Sequence, residues 1–256
     1  MRRALPAVLA LLLMQGCATQ HPQDPLESWN RQVFSFNEAL DDNVLKPVAK
    51  GYAKVTPEPV RKGVSNFFGN IDDVWTSANL FLQGRFKDGA QSVIRVSVNT
   101  TLGLGGFIDM ASAMQMPRFN EDIGQTLGVW GMPSGPYIVW PVLGSSTLRD
   151  TANIVGNTYF SATTLGDGPR TDNQIRLLQV VNVRAKYLSA GELLDDVALD
   201  RYSFVRDAYL QRRRNLIYNG NPPEEAQPED EPRYDEPEDA AESAQPATSG
   251  ASAPAN

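Results

Sequence analysis

Histidine and cysteine, two side chains often used for metal binding and covalent catalysis, each occur once in this chain of 256 residues. Hydrolases that use a Ser-His-Asp triad or a histidine-bound metal need a histidine inside the folded domain. The single histidine, His21, precedes the first predicted helix on a short polar stalk. No GxSxG turn occurs, and Gly144-Ser145-Ser146 does not match one. These residues argue against an enzyme.

Motifs for nucleotide and acid–base chemistry are also missing. The run Gly103-Leu104-Gly105-Gly106 lacks the GxGxxG spacing, and no Gly-Lys-Ser/Thr follows it, so an ATPase is excluded. Adjacent acids on a helix point in different directions, so they are poorly placed to share acid–base work. The adjacent acids are Asp41-Asp42, Asp72-Asp73 and Asp195-Asp196. No cofactor or metal is expected, and binding or transport is favoured over catalysis.

Residues 1–16 have the pattern of a signal peptide. A basic start, Met1-Arg2-Arg3, precedes an apolar run that is too short to span a bilayer as a helix. The run Leu13-Met14-Gln15-Gly16-Cys17 resembles the lipobox of bacterial lipoproteins. Cys17 is therefore predicted to carry lipid at the start of a stalk formed by residues 17–23. Each buried acyl methylene contributes about 0.8 kcal/mol, so a multiply acylated cysteine would hold the protein on a membrane.

The C-terminal segment, residues 221–256, is rich in proline and acid. It holds ten acidic residues and one basic residue, Arg233, and such a composition predicts disorder. The tail therefore has a net charge of −9, Arg2 and Arg3 in the signal peptide contribute +2, and the whole chain has −7. The acidity of the protein thus belongs to the tail, and the body, residues 24–220, is close to neutral. A basic footprint for nucleic acid is absent, and no nucleic-acid partner is expected.

Glycine and proline are concentrated between Asn99 and Asp150, too densely for one long helix or a regular sheet. The residues between them are largely apolar, which is unusual for a solvent loop. We therefore expect irregular backbone that is buried in protein or lies against lipid, where its peptide groups still need partners.

Helix-breaking residues divide the first part of the body into four segments that are apolar on one side. Their boundaries are an N-cap and first-turn proline at Asp24-Pro25, then Pro47, then Pro57, and then a stop signal at Gly69-Asn70 before a helix from Ile71 to Gln83. A packed core is the simplest explanation of these apolar faces.

Three further helices are predicted. The segment from Phe86 to Thr101 alternates like a strand, but no convincing second strand could pair with it, so we predict a helix. Another is capped by Thr171 or Asp172, and the last runs from Asp200 to about Tyr218. The triplet Arg212-Arg213-Arg214 in the last helix could meet lipid headgroups or simply complement the helix C-terminus.

Together, the motifs of this body form one ordered series. It includes Asp24-Pro25-Leu26-Glu27, Asn30-Arg31, Ser65-Asn66-Phe67, Phe81-Leu82-Gln83-Gly84, Gly105-Gly106-Phe107-Ile108-Asp109, Gly124-Gln125-Thr126-Leu127-Gly128, Gly135-Pro136-Tyr137, Arg149-Asp150 and Ala208-Tyr209. The chain resembles the MlaA (VacJ) family of outer-membrane lipoproteins over residues 24–220. The acidic tail lies outside the resemblance.

The resemblance implies an all-α, ring-like bundle of amphipathic helices with a glycine-rich hairpin and no substantial sheet. It also implies a lipid-anchored position on the periplasmic, inner-leaflet side of the cell outer membrane, beside a trimeric porin. Members of the family remove mislocalised phospholipid from the outer leaflet through an amphipathic channel. They pass it to a periplasmic lipid carrier, MlaC-like, and so maintain lipid asymmetry.

On this resemblance we expect two groups of site residues. The lipid channel or membrane-facing surface would include Trp29, Phe36, Phe81, Trp130 and Tyr137. A hairpin or gate would include Gly103, Gly105, Gly106, Phe107, Ile108 and Met110, because glycine allows unusual backbone angles and methionine adapts to irregular apolar surfaces. A rigid buried turn is the alternative for the second group.

Two other functions remain open from the sequence. A structural lipoprotein that only packs against porins would affect lipids indirectly. A phospholipid hydrolase is weakened by the absence of a histidine from the body.

Overall fold

The described part of the computed structural model comprises residues 21–154, 156, 168–191 and 199–223. The predicted signal peptide, Cys17 and nearly all of the acidic tail lie outside these residues. The domain boundaries at residues 16, 23 and 220 therefore remain predictions.

Helices make up most of the described chain, and the predicted all-α class is confirmed. In chain order they are α1 (Glu27–Leu40), a π-helical turn (Asp41–Leu45), α2 (Lys46–Val55), α3 (Glu58–Leu82), α4 (Phe86–Thr101), α5 (Met110–Ala113) and α6 (Ile123–Val129), and then α7 (Pro169–Lys186) and α8 (Arg201–Ile217). The sheet among the described residues is one antiparallel hairpin of β1 (Tyr137–Trp140) and β2 (Gly144–Thr147), with Tyr137 opposite Thr147.

The predicted break at Pro47 is wrong, because α1, the π-helical turn and α2 form one continuous helical segment. A proline ring in a helix clashes with the carbonyl four residues earlier and removes a hydrogen bond. Here that carbonyl belongs to Asn43, which lies in the wider π-helical turn, so the chain continues past the proline.

The predicted stop at Gly69-Asn70 is also wrong, since α3 continues through both residues. Gly69 makes room for a neighbouring side chain: a Cβ atom there would lie 2.3 Å from a guanidinium nitrogen of Arg118. Asn70 donates a hydrogen bond to Thr100 Oγ1 (2.9 Å) and so ties α3 to α4. Both residues serve packing between elements.

The predicted starts of some helices agree with the structure, and those of others do not. Helix α8 begins one residue after its predicted start at Asp200, and Asp200 caps it by accepting hydrogen bonds from the Tyr202 and Ser203 amides. In contrast, Leu26 occupies the N-cap of α1, and Asp24 is fully buried instead. Helix α7 begins at Pro169, before both of its predicted caps. The segment from Phe86 to Thr101 is helical, as predicted.

Polar side chains dominate the interior of the described residues. Twenty buried side chains are polar or charged, whereas ten are apolar. A small apolar cluster of Val33, Tyr137, Val139 and Tyr202 joins α1, β1 and α8. Large apolar side chains of most helices point outward, so the explanation of their apolar faces as core is wrong for many of them. No helix in the described ranges is long and apolar enough to cross a membrane.

Candidate functional site

Residues 102–109, here called the glycine turn, reverse the chain after α4. Leu104, Gly105 and Gly106 all have positive φ angles, of 53°, 71° and 95°. The Gly105 amide donates to the carbonyl oxygen of Thr100 (3.0 Å), and the Gly106 amide donates to that of Asn99 (2.9 Å). These bonds satisfy the carbonyl groups at the C-terminus of α4 and fix the direction of the turn.

Two of the three glycines leave no space for a side chain. A Cβ atom on Gly103 would lie 2.1 Å from the Ile108 carbonyl oxygen, and one on Gly106 would lie 2.8 Å from Asn70 Cβ. Nothing lies within 4 Å of the corresponding position at Gly105. The base of the turn is therefore tightly packed against α3 and α4, and its tip is open.

Asp109 anchors the far end of the turn. Both of its carboxylate oxygens accept hydrogen bonds from Arg95 (2.7 Å each), and one also accepts from Asn99 Nδ2 (3.1 Å) and the Ser112 amide (3.0 Å). Burial alone would raise the pKa of Asp109, but the bonds from Ser112 and Asn99 and the charge of Arg95 lower it to about 2. The carboxylate is therefore charged at neutral pH.

Arg95 links this anchor to α3. Its side chain is only 1% exposed, and its Nε atom also donates to Asp73 (3.3 Å) on α3. Asp73 receives a second bond from Arg118 Nε (3.1 Å). Buried charges are costly unless they are paired in this way, so the cluster specifies how α3, α4 and the glycine turn meet.

The apolar side chains of the glycine turn point away from its anchored backbone. Leu104 is 72% exposed, Phe107 and Ile108 are about half exposed, and Met110 is half-buried at the start of α5. The Phe107 carbonyl accepts from Asn66 Nδ2 (3.0 Å), and its ring lies 5.3 Å from that of Phe67. The predicted hairpin residues thus come together as an apolar tip on a fixed base.

Four of the five aromatic residues expected to contact lipid are exposed. Trp29 (56%), Phe36 (54%) and Trp130 (58%) are open, and Phe81 is less so. The expectation that Tyr137 faces lipid is wrong, because its side chain is completely buried between Tyr202 and Tyr209. It occupies an inward position of β1, where successive side chains alternate between the two faces.

Two asparagines of α1 hold strand β1. Asn30 donates to the Tyr137 carbonyl (3.0 Å) and accepts from the Val139 amide (2.9 Å). Seven residues later, Asn37 donates to the Trp140 carbonyl (3.0 Å) and accepts from the Val142 amide (2.7 Å). Their side chains therefore act as the neighbouring strand would in a wider sheet.

A second charged cluster joins α6, the β hairpin and α8. Arg213 donates to Asp122 and to Asp150, and the Tyr209 hydroxyl donates to Asp150 (3.0 Å). Burial and the hydrogen bonds to Asp122 act in opposite directions on the pKa of Arg213, with the net effect of raising it. Arg213 is therefore paired inside the protein, so Arg212, Arg213 and Arg214 do not form one exposed basic patch that could meet headgroups together.

Sequence reasoning did not identify the buried clusters. Their partners lie far apart in the chain, 22 residues for Arg95 and Asp73 and 91 for Arg213 and Asp122. Each residue type alone is common on a protein surface. Asp109, Arg149-Asp150 and Tyr209 do occur in the ordered series of motifs, but their types and spacing did not indicate their partners. No group of histidine, cysteine, aspartate or glutamate side chains that could hold a metal ion occurs within the described ranges.

The chain is similar to a known protein family and to several of its members. A family model described as MlaA lipoprotein matches residues 22–216. The chain is 36% identical over 234 residues to the intermembrane phospholipid transport system lipoprotein MlaA of Escherichia coli strain K12, covering 88% of this chain and 90% of that protein. It is 33% identical over 227 residues to the protein of the same description from Haemophilus influenzae, covering 84% and 90%.

A solved structure is also similar. It comes from work on the structural basis for maintenance of bacterial outer membrane lipid asymmetry, and it is 34% identical to this chain with a TM-score of 0.67. The match covers 76% of this chain and 98% of that one.

Proposed function

The chain belongs to the MlaA lipoprotein family, and on this premise we propose that it removes mislocalised phospholipids from the outer leaflet of the outer membrane. It passes them to a soluble periplasmic carrier and so maintains lipid asymmetry. The names of the Escherichia coli and Haemophilus influenzae relatives, which refer to intermembrane phospholipid transport, support this function.

The observation that carries the proposal is the inverted distribution of side chains. Large apolar residues such as Trp29, Phe36 and Leu104 are exposed, whereas charged residues such as Arg95 and Asp73 are buried and paired. Exposed apolar surface on this scale marks an interaction with protein or lipid. A protein embedded among acyl chains would gain by facing them with apolar groups and by satisfying its polar groups internally.

A handover partner follows from the energetics of the lipid. Two acyl chains hold on the order of thirty methylenes at about 0.8 kcal/mol each, so a phospholipid cannot leave into water without a receiving protein. A periplasmic carrier with an apolar cavity fits this role, and a trimeric porin is the proposed neighbour in the membrane. Because the sequence has no nucleotide motif, the direction of flow must come from the carrier or from a protein beyond it.

Within the protein, we propose that the glycine turn meets the lipid chains. Its exposed apolar tip of Leu104, Phe107 and Ile108 supports this role, and Met110 follows the turn as the first residue of α5. Trp29, Phe36, Phe81 and Trp130 would extend the lipid-facing surface. The open space around Gly105 leaves room for the tip to adapt to a passing chain.

Transport is tested with purified lipidated protein reconstituted beside porin in vesicles that contain labelled phospholipid. Labelled lipid should appear on the soluble carrier only when this protein is present. Tight binding to porin with no phospholipid bound or transferred would instead support a structural role. Release of fatty acid would indicate a hydrolase and overturn the proposal.

A further inference from the structure

A cavity of about 210 Å³ lies beside the β hairpin and is not part of the glycine turn. Its walls include Trp140, Leu143, Ser145, Asp150, Tyr209 and Arg213. Pockets for drug-sized ligands commonly measure about 300–1,000 Å³. This cavity is therefore too small for a two-chain lipid, but it can take a polar fragment such as a headgroup.

The polar wall of the cavity offers both donors and acceptors. Arg213 and Ser145 can donate to phosphate oxygens, whereas Asp150 and the oxygen of Tyr209 can accept from an ammonium group. Burial and the neighbouring Asp150 raise the pKa of Tyr209, so its hydroxyl group stays protonated and keeps both functions.

The charges around the cavity balance. Arg213 contacts Asp122 and Asp150, and Asp150 also accepts from Arg149 Nε (3.0 Å). Arg213 and Asp150 line the cavity, and Asp122 and Arg149, which pair with them from outside the lining, bring this group of four charges to zero. Burying a ligand with net charge in such a neutral, partly dehydrated site is costly, whereas a ligand whose own charges cancel avoids most of that cost.

The lining of the cavity also includes apolar residues, one of which is exposed at the surface. Leu143, in the loop between β1 and β2, is 62% exposed, and its neighbour Val142 is also exposed. Trp140 and Ile154 also line the cavity. A ligand with a polar head in the cavity could therefore lay an acyl chain along this loop, which favours a membrane lipid over a free phosphate ester.

We propose that this cavity is a headgroup site for zwitterionic phospholipid, in which phosphate meets Arg213 and Ser145 and ammonium meets Asp150 and Tyr209. This inference rests on the proposed transport function and adds a headgroup preference to it. The loop between β1 and β2 supports the first part of the acyl chains.

The test uses full-length lipidated protein mixed with vesicles that contain equal amounts of phosphatidylethanolamine and phosphatidylglycerol. Repurified protein is analysed by mass spectrometry for bound lipid. Wild type should retain phosphatidylethanolamine in severalfold excess. Ser145→Lys adds one positive charge to the neutral cavity and should reverse the ratio in favour of phosphatidylglycerol. Ser145→Met, of similar length but neutral, should lower retention of both lipids without reversing it.

A second variant covers the possibility that the lysine disturbs the hairpin. Tyr209→Phe keeps the ring and removes only the hydroxyl group, so it should lower phosphatidylethanolamine retention severalfold. The variant also loses the bond to Asp150 and should unfold at a lower temperature, so retention is measured well below the melting temperature of both proteins. The matched control is Tyr52→Phe, which removes a hydroxyl that donates to Asn182 (3.0 Å) away from the cavity and should leave retention unchanged.

The outcomes separate this inference from the transport function. Equal retention of both lipids by wild type, or an unchanged ratio in a folded Ser145→Lys protein, would overturn the headgroup site and leave transport standing. Equal retention by wild type and Tyr209→Phe would also overturn it. A wild-type protein that takes up no phospholipid would contradict the transport function itself.

Discussion

At Gly103, Gly105 and Gly106 the same residue type meets three different local requirements. Gly103 has an ordinary backbone angle but no space, Gly105 has space but a φ angle of 71°, and Gly106 combines a φ angle of 95° with contact to Asn70. Substitutions along this short run therefore have separate physical costs. They can distinguish a rigid turn from one that moves.

Gly103→Ala should destabilise the protein by about 3 kcal/mol or more, because its methyl group would overlap backbone oxygens that cannot move independently. Gly105→Ala should cost about 1–2 kcal/mol, from backbone strain alone. Thermal unfolding in detergent measures both. Equal effects would show that the turn is not packed as described.

A bulkier substitution at Gly105 tests whether the glycine turn acts as a gate. If the tip moves during transport, a Gly105→Val protein should remain abundant and associated with porin, yet phospholipid should accumulate in the outer leaflet. Full activity of the variant, or its loss by proteolysis, would argue for a static turn.

Asp109 gives the glycine turn a dependence on acid pH. Its folded-state pKa of about 2 lies below the ordinary value of 3.8, so its charged form stabilises the fold above that ordinary value. This contribution, about 2 kcal/mol, is lost as pH falls from about 4 to 2. Stability measured across this range should show the loss in wild type.

Asp109→Asn should remove this part of the pH profile, and Ser112→Ala should make it smaller, because alanine keeps the amide bond to the carboxylate but loses the bond donated by the Ser112 hydroxyl. A profile that is identical in all three proteins would contradict the role of Asp109.

At the scale of elements, helix α1 does more than provide an amphipathic face. Asn30 and Asn37 lie seven residues apart, about two helical turns, and therefore project to the same side. Together they hydrogen-bond β1 and the loop that follows it. A two-stranded hairpin alone is marginally stable in water, so these side chains supply what a third strand would.

Asn30→Leu should destabilise the protein by roughly 3 kcal/mol, because it leaves buried polar groups of Asp24, Tyr137 and Val139 with fewer partners. Hydrogen exchange at the Val139 amide should accelerate. The control, Gln32→Leu on an exposed part of the same helix, should change stability by no more than about 0.5 kcal/mol. Unchanged exchange at Val139 would show that Asn30 does not hold the strand.

At the scale of the whole molecule, the outward apolar surface and the inward charges have one common consequence. Water is a poor solvent for the outer surface, whereas the interior charges, such as Arg213 and Asp150, satisfy one another and need no solvent from outside. A lipid environment is compatible with both features, so the structure supports a membrane location in the proposed function alongside the relatives.

Tryptophan fluorescence can test this orientation directly. In single-tryptophan proteins reconstituted in lipids with brominated acyl chains, the exposed Trp29 and Trp130 should be quenched severalfold more than the half-buried Trp75, which packs beside Gly156. Equal quenching at the three positions, or none at Trp29, would contradict a lipid-facing surface there.

The anchor is tested at Cys17. Cys17→Ala should leave an unprocessed or soluble product and abolish transport, because acyl chains supply about 0.8 kcal/mol per methylene to membrane binding. Membrane fractionation and lipid labelling measure the result. A variant that still fractionates with outer membranes and transports lipid would show that the exposed apolar surface is sufficient.

The sequence by itself determined the helical class, most helix boundaries near strong signals such as Asp200, and the place of the glycine turn after α4. These are local properties, since capping, backbone freedom and apolar periodicity act within a few residues. The ordered motifs also identified the family. The local signals failed at Pro47 and at Gly69-Asn70, where a π-helical turn and contact with Arg118 changed the outcome.

Only the tertiary structure decided which face of each helix is buried. Periodicity shows that Trp29, Val33 and Phe36 share one side of α1, but it does not show that Val33 is buried while the two aromatics are exposed. The charged clusters and the neutral cavity likewise depend on residues that are distant in sequence and are brought together by packing. Arg213 illustrates this: from sequence it is one of three similar cations, and its buried partners Asp122 and Asp150 appear only when α6, the β hairpin and α8 meet.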